Sequence, residues 1–279
     1  MADDGAPARS PPSTRLTGVR IARFTTGSDP RYALVEGEAG AEILHVITGD
    51  PLYTPVELTG RQVPLDDDGV RLLAPVIPRS KIVGVGRNFA AHAKELGNEP
   101  PSAPLLFLVP NTAVIGPDDP IVLPDWTHEV SYEAELAVVI GKVTRNVTPE
   151  RALANVFGYT VANDVTARDA QRAEPQWFRA KSFDTSKPLG PWIATDLDPA
   201  DLTVRSAVNG ERRQDGSTRD LIFDVPFLVS AISEVTTLLP GDVILTGTPE
   251  GVGLVEHGDI VDVEVEEIGV LRNPVIRRS

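Results

Sequence analysis

Short runs rich in β-branched and aliphatic residues follow one another along this chain with little helical periodicity between them. VRIARF, RYALVE and AEILHVI lie between Val19 and Ile47. LLFLV follows at 105–109, YEAELAVVI at 132–140, FGYTVAN at 157–163, LTVRSAV at 202–208, DVILTG at 242–247 and DIVDVEVEEI at 259–268. A doubly wound parallel sheet needs a helix between successive strands, and those helices are missing here. The expectation is an α+β, mostly β fold: a mixed, mainly antiparallel roll or barrel with a few short helices. One helix is expected from Asn88, as N-cap, to Leu96, with Phe89, Ala93 and Leu96 on one face and Gly97 at its stop. A second starts at Thr148 and Pro149 and runs to Val156; a third covers Asp224 to Thr237, ahead of Pro240.

The polar, Pro-rich stretch MADDGAPARSPPSTR reads as a disordered tail over residues 1–15. Residues 16–75 read as a small N-terminal β module with a DDDG turn at 66–69, and the Pro75–Pro78 segment marks a boundary before a larger domain over 79–279. Across 279 residues, 26 Lys+Arg face 40 Asp+Glu, a formal net charge of −14 that disfavours binding to a phosphate backbone. No apolar run is long enough to span a membrane and no secretory signal is read, so a cytoplasmic protein is expected. With no Cys, thiolate metal sites and cysteine nucleophiles are excluded, and any chemistry rests on oxygen and nitrogen side chains.

The most informative stretch is Glu133-Ala134-Glu135, at the head of a strand that continues LAVVI. Alternate strand residues share a face, so the two carboxylates stand side by side about 7 Å apart. The run that follows is apolar on both faces, which implies a central strand and a buried head. Like charges in a poorly solvated place call for a raised pKa or a bound cation. Asp164, after FGYTVAN, suggests a third ligand; a helix starting there would align it with Arg168 and Gln171. Three carboxylates without Cys or paired His favour a hard cation, Mg²⁺ or Mn²⁺, with Ca²⁺ also compatible. The same spacing also fits two acids on a solvated sheet edge.

His92 and Glu95, at i and i+3, have the spacing for a carboxylate to orient an imidazole as a general base, although surface helices often carry such pairs. His128, before the Glu pair, is a weaker alternative. Lys181, in WFRAKSF, is a candidate to hold a substrate carboxylate or enolate oxygen. Thr246-Gly247-Thr248-Pro249 can offer hydroxyls and backbone N–H groups to an anion, or be an ordinary turn. Gly84-Val85-Gly86 lacks the third glycine of a dinucleotide fingerprint. G-x-x-x-x-G-K-[ST], G-x-S-x-G and H-E-x-x-H are all absent, which removes the P-loop, triad-hydrolase and zincin readings.

Taken together, VGVGRNFAAHAKELG, LLFLVPNTA, YEAELAVVIGK, NDVTARDAQ, AKSFD, VNGERRQDG and ILTGTPEGVG resemble the fumarylacetoacetate hydrolase family, in family order from about Lys81 to Val275. Residues 16–75 resemble the N-terminal β module of bacterial members described as 2-hydroxyhepta-2,4-diene-1,7-dioate isomerases. The resemblance implies a mixed β fold, a homodimer, and Mg²⁺ or Mn²⁺ on Glu133, Glu135 and Asp164. It also implies His92 and Glu95 on a lid helix that activates water, with Lys181 as the third catalytic residue. Arg87, Arg168, Gln171 and Thr248 are expected to contact the substrate. Where the family commonly reads F-L-K-P, this chain has Val109, and Lys187 in the unusual T-S-K-P-L-G stretch is the residue expected to compensate.

The implied activity is metal-dependent hydrolysis of a C–C bond in a 2-oxo or β-diketo acid. The alternatives are isomerisation, tautomerisation or decarboxylation of related oxo acids, which share the enolate, and a catalytically idle metal- or ligand-binding protein.

Overall fold

A computed structural model of the chain describes residues 18–27, 29–95, 97 and 99–277. The tail expected over 1–15 and Leu96 of the first helical stripe lie outside them. Among the described residues the fold is mostly β, as expected: a twelve-stranded sheet, a five-stranded sheet and a two-stranded ribbon.

The large sheet runs from Leu58–Pro64 through Ile43–Ile47, Arg31–Glu36, Arg20–Thr25, Lys187–Ala194, Val156–Asn163, Ala134–Ile140, Val243–Leu245 and Ile82–Gly86 to Leu105–Val109. Its main path is antiparallel except where Val243–Leu245 lies parallel to Ile82–Gly86. The N-terminal strands form a meander that joins this sheet through Arg20 opposite Ala194 and Ile21 opposite Ile193. Ala134–Ile140 is buried at every residue because it has a strand on each side and packed residues on each face.

Leu136, Val138 and Ile140 enter the main core, which also takes Val204, Val261, Val263 and Leu271 of the five-stranded sheet and Phe24, Leu44 and Val46 of the meander. Ala137 and Val139 point the other way, into a smaller cluster with Ile82, Val109, Leu189 and Leu245. Glu133 and Glu135 are in phase with Ala137 and Val139, so the acidic pair caps that second face.

The longest described helix, Val225–Val235, falls within the expected 224–237, and Asp224 caps it by accepting the Phe227 N–H at 2.8 Å. Pro149–Ala152 begins after Thr148, which makes no side-chain cap bond, and continues as a 3-10 turn to Asn155. The first helix is Ala90–Glu95. Here the expected role of Asn88 is corrected: rather than capping, its buried amide donates to the carbonyls of Phe223 and Thr246 and accepts from the Phe223 N–H. Unpaired loop backbone groups in the interior are costly, and this side chain satisfies three of them. No described helix is long and apolar enough to cross a membrane.

Candidate active site

Strand pairing assembles the acidic cluster. Val156–Asn163 runs antiparallel to Ala134–Ile140 with Asn163 opposite Ala134, so the next residue, Asp164, arrives beside Glu133. The Asp164 N–H donates to the Glu133 carbonyl at 2.9 Å, and the Glu133 N–H donates to Asn163 Oδ1 at 2.9 Å. The helix expected from Asp164 does not form there. A two-residue strand, Thr166–Ala167, intervenes, and the helix spans Arg168–Ala173. Cross-strand register rather than helical periodicity therefore brings Asp164 to the pair.

Glu133, Glu135 and Asp164 are all buried, and one ligand atom from each lies within 4.8 Å of the others. A solvated edge is excluded. Lys181, at the end of the short Phe178–Lys181 helix, donates to Glu133 Oε2 at 2.7 Å and to Asp164 Oδ2 at 2.6 Å. Arg168 reaches Glu133 Oε1 at 2.6 Å and is steadied by Ser131 and by Gln171 Oε1, to which it donates at 2.9 Å. Burial opposes ionisation of Glu133, but Lys181 and Arg168, helped by His92, outweigh it and hold the carboxyl well below the ordinary glutamate range. Burial likewise pushes the Lys181 ammonium down, and Asp164 and Glu133 more than restore it.

Glu135 has the opposite environment. Burial, then Asp164 and Glu133, push its carboxyl well above the ordinary range. A backbone N–H, that of Gly247, donates to Glu135 Oε2 at 2.7 Å. Gly247 has φ +103, and a Cβ there would come within 2.8 Å of the Asn88 Cβ, so this donor position is suited to glycine. Asp164 Oδ1 lies 2.8 Å from Lys187 Nζ yet makes no hydrogen bond of good geometry. Buried, hard oxygen donors, one with an unfavoured charge and another with an unsatisfied lone pair, fit a divalent cation.

His92 is buried, and its Nδ1 lies 3.1 Å from Glu95 Oε2. Glu95 Oε1 accepts the Gly251 N–H at 3.0 Å, which ties the helix to the loop after Val243–Leu245. His128 is exposed and uses its backbone N–H to cap Asp169, so it is not part of this cluster. Arg87, half-buried with φ +57, lies over Trp177 and lines with Gln171, Phe107 and Leu105 a groove of about 840 Å³. Thr248 is buried, and its hydroxyl accepts from Gln214 Nε2 at 2.7 Å.

Residues 81–276 match the fumarylacetoacetate (FAA) hydrolase C-terminal family, and residues 19–75 match the Rv2993c-like N-terminal family. The chain belongs to the fumarylacetoacetate hydrolase family. Among solved structures it is similar to 5-carboxymethyl-2-hydroxymuconate delta-isomerase from Mycobacterium smegmatis, at 48% identity and TM-score 0.86, covering 93% of this chain and 100% of that one. Fumarylpyruvate hydrolase from Pseudomonas aeruginosa, in complex with Mn²⁺ and pyruvate, is 34% identical with TM-score 0.69, over 76% of this chain and 94% of that one. Human mitochondrial oxaloacetate tautomerase FAHD2A is 43% identical over 74% of this chain and 70% of its own length. The chain is thus a member of an enzyme family whose relatives include isomerases, tautomerases and hydrolases of oxo acids.

Where the family commonly carries a lysine, Val109 is buried in the apolar cluster with Ile82, Ala113 and Leu189, and Lys187 lies on Asp164. Sequence reasoning missed Gln214. From the Glu211–Ser217 strand, its buried amide accepts the Ala134 N–H at 3.0 Å and donates to Thr248 and the Pro249 carbonyl, joining the Glu-bearing strand to the Thr248 loop. It lies within VNGERRQDG, but its role depends on contacts with distant segments that spacing does not reveal.

Proposed function

We propose that this chain is a divalent-metal-dependent hydrolase that cleaves a C–C bond in 2-oxo or β-diketo acids of the acylpyruvate type. The observation that carries the reading is the burial of three carboxylates within 4.8 Å of one another in a chain whose His92–Glu95 pair has general-base geometry. When bound, a divalent cation would polarise the 2-oxo group and stabilise the enolate that forms as the C–C bond breaks. Mg²⁺ and Mn²⁺ suit the all-oxygen donor set, and the Mn²⁺ of the Pseudomonas relative supports that choice.

The remaining steps fall to the protein. Arg168 and Lys181 fix Glu133. Lys181, with one N–H beyond those given to Glu133 and Asp164, is available to hold a substrate oxygen. Glu95 orients His92 through Nδ1, leaving Nε2 to take a proton from water as it attacks the distal carbonyl. Gln171 and Arg87 face the groove that would take the substrate's remainder, and the Thr248 hydroxyl, accepting from Gln214, keeps its own proton to donate.

A second reading, isomerisation or tautomerisation, is favoured by the names of the Mycobacterium and human relatives. It uses the same enolate, with His92 moving a proton to or from substrate rather than from water. Decarboxylation of oxaloacetate would reach that enolate without activated water.

The test is an assay with Mn²⁺ against acylpyruvates, oxaloacetate, its enol form and 2-hydroxyhepta-2,4-diene-1,7-dioate. Hydrolysis of acylpyruvates is expected, with kcat for His92→Ala down about 10²-fold or more. Turnover of the enol or dienoate alone would move the assignment to isomerase, and CO₂ release from oxaloacetate alone would move it to decarboxylase. Silence on the whole panel would leave an idle binding protein.

A further inference from the structure

Lys187 is fully buried at the start of the Lys187–Ala194 strand, and the mechanism above does not use it. Its Nζ lies 2.8 Å from Asp164 Oδ1 and donates to the carbonyls of Ser186 at 2.8 Å and Val165 at 3.1 Å and to Ser186 Oγ at 3.2 Å. Three hydrogen-bond acceptors around one nitrogen use all three N–H groups of an ammonium, whereas a neutral amine has only two. Burial pulls the ammonium down from its ordinary range, and Asp164, at ion-pair distance, is the main counterweight. Burying such a charge is expensive unless it is paired, and its ionic partner here is a candidate metal ligand.

With Lys187, three buried carboxylates face three buried cations, Arg168, Lys181 and Lys187, so the cluster is electrically neutral when Glu135 is ionised, the form in which it would hold a cation. A divalent cation would lift it to two positive charges, which complement a 2-oxo acid in its enolate form, a dianion. Without Lys187 the same pocket would pull harder on the cation and more weakly on the dianion.

We propose that Lys187 is a positioning residue that acts through Asp164 to set the charge of the site, weakening the hold on the divalent cation in exchange for a stronger hold on a dianionic oxo acid. This rests on the proposed cation site at Glu133, Glu135 and Asp164. It is a property of this chain's own buried lysine.

The test uses the full chain with Lys187→Met, which keeps length without charge, and Lys187→Gln, which keeps a hydrogen-bond donor. Mn²⁺ affinity is measured by calorimetry without substrate, then oxalate affinity is measured on the Mn²⁺-loaded protein. The expected result is a split in opposite directions: Mn²⁺ binds about tenfold more tightly in both variants and oxalate about tenfold more weakly. Loss of both affinities together, no change in either, or failure of both variants to fold would overturn the proposal, because each describes a structural pin or a bystander. Wild-type protein that binds no Mn²⁺ would instead overturn the metal site, a separate outcome seen before any variant is made.

Discussion

Glu135 is held where its charge is least welcome, under burial and beside two other acids, with the Gly247 N–H as a counterweight. Glutamine at this position would keep an acceptor for that N–H and remove the repulsion. Glu135→Gln is therefore expected to stabilise the metal-free protein by about 1–2 kcal/mol while abolishing the upward shift of Tm on adding Mn²⁺. Calorimetric scans with and without the ion decide it, and a variant less stable than wild type without metal would show that the carboxylate is not under strain. The pair Glu133 and Glu135 was legible in the sequence because strand alternation is a local rule and the apolar run after it signals burial. Asp164 was legible as a ligand candidate but not by the right geometry, since cross-strand register is a tertiary fact. Gln214 left no local signal, as an amide acquires its role only when a second sheet brings it to the Ala134 N–H.

The Ala90–Glu95 helix shows how an element can be found and yet be misread at its edge. Asn88 in a cap position is a sound local inference, but the side chain finds better use in satisfying the Phe223 and Thr246 backbone, whereas Asp224, with no such competitor, caps its helix. The first helix, which has only six residues, is thus anchored from both ends: by Asn88 before it and by the Glu95 link to Gly251 at its end. Short helices gain little from propensity, so these anchors decide where His92 sits. Asn88→Ala leaves buried backbone groups unpaired and is expected to cost about 2–3 kcal/mol. It should speed hydrogen exchange in residues 90–95 and lower kcat several-fold while Mn²⁺ affinity falls less, because the acidic cluster lies on other elements and meets Asn88 only through the Thr246–Gly247 peptide that donates to Glu135. Equal losses in kcat and Mn²⁺ affinity would mean that the helix and the cluster form one structural unit.

At the level of the whole molecule, strand content and the absence of interleaved helices were enough to read a mixed, mainly antiparallel β fold. What that pattern left open was how the N-terminal strands meet the rest. They continue the same sheet: Arg20 and Ile21 pair with Ala194 and Ile193 at the far end of the Lys187–Ala194 strand, and Phe24, Leu44 and Val46 share the core with Leu136 and Val138. Removing residues 1–75 would expose both that strand's free backbone groups and the apolar surface beneath the meander. The shortened chain is expected to lose at least about 10 °C in Tm or to aggregate, and to bind Mn²⁺ more weakly, as the strand next to Asp164 loses its outer neighbour. Scanning calorimetry and light scattering on the truncated protein check this. An unchanged Tm with full Mn²⁺ affinity would mean that the extended sheet is two independent units sharing an edge, and that the meander serves something other than the stability of the site.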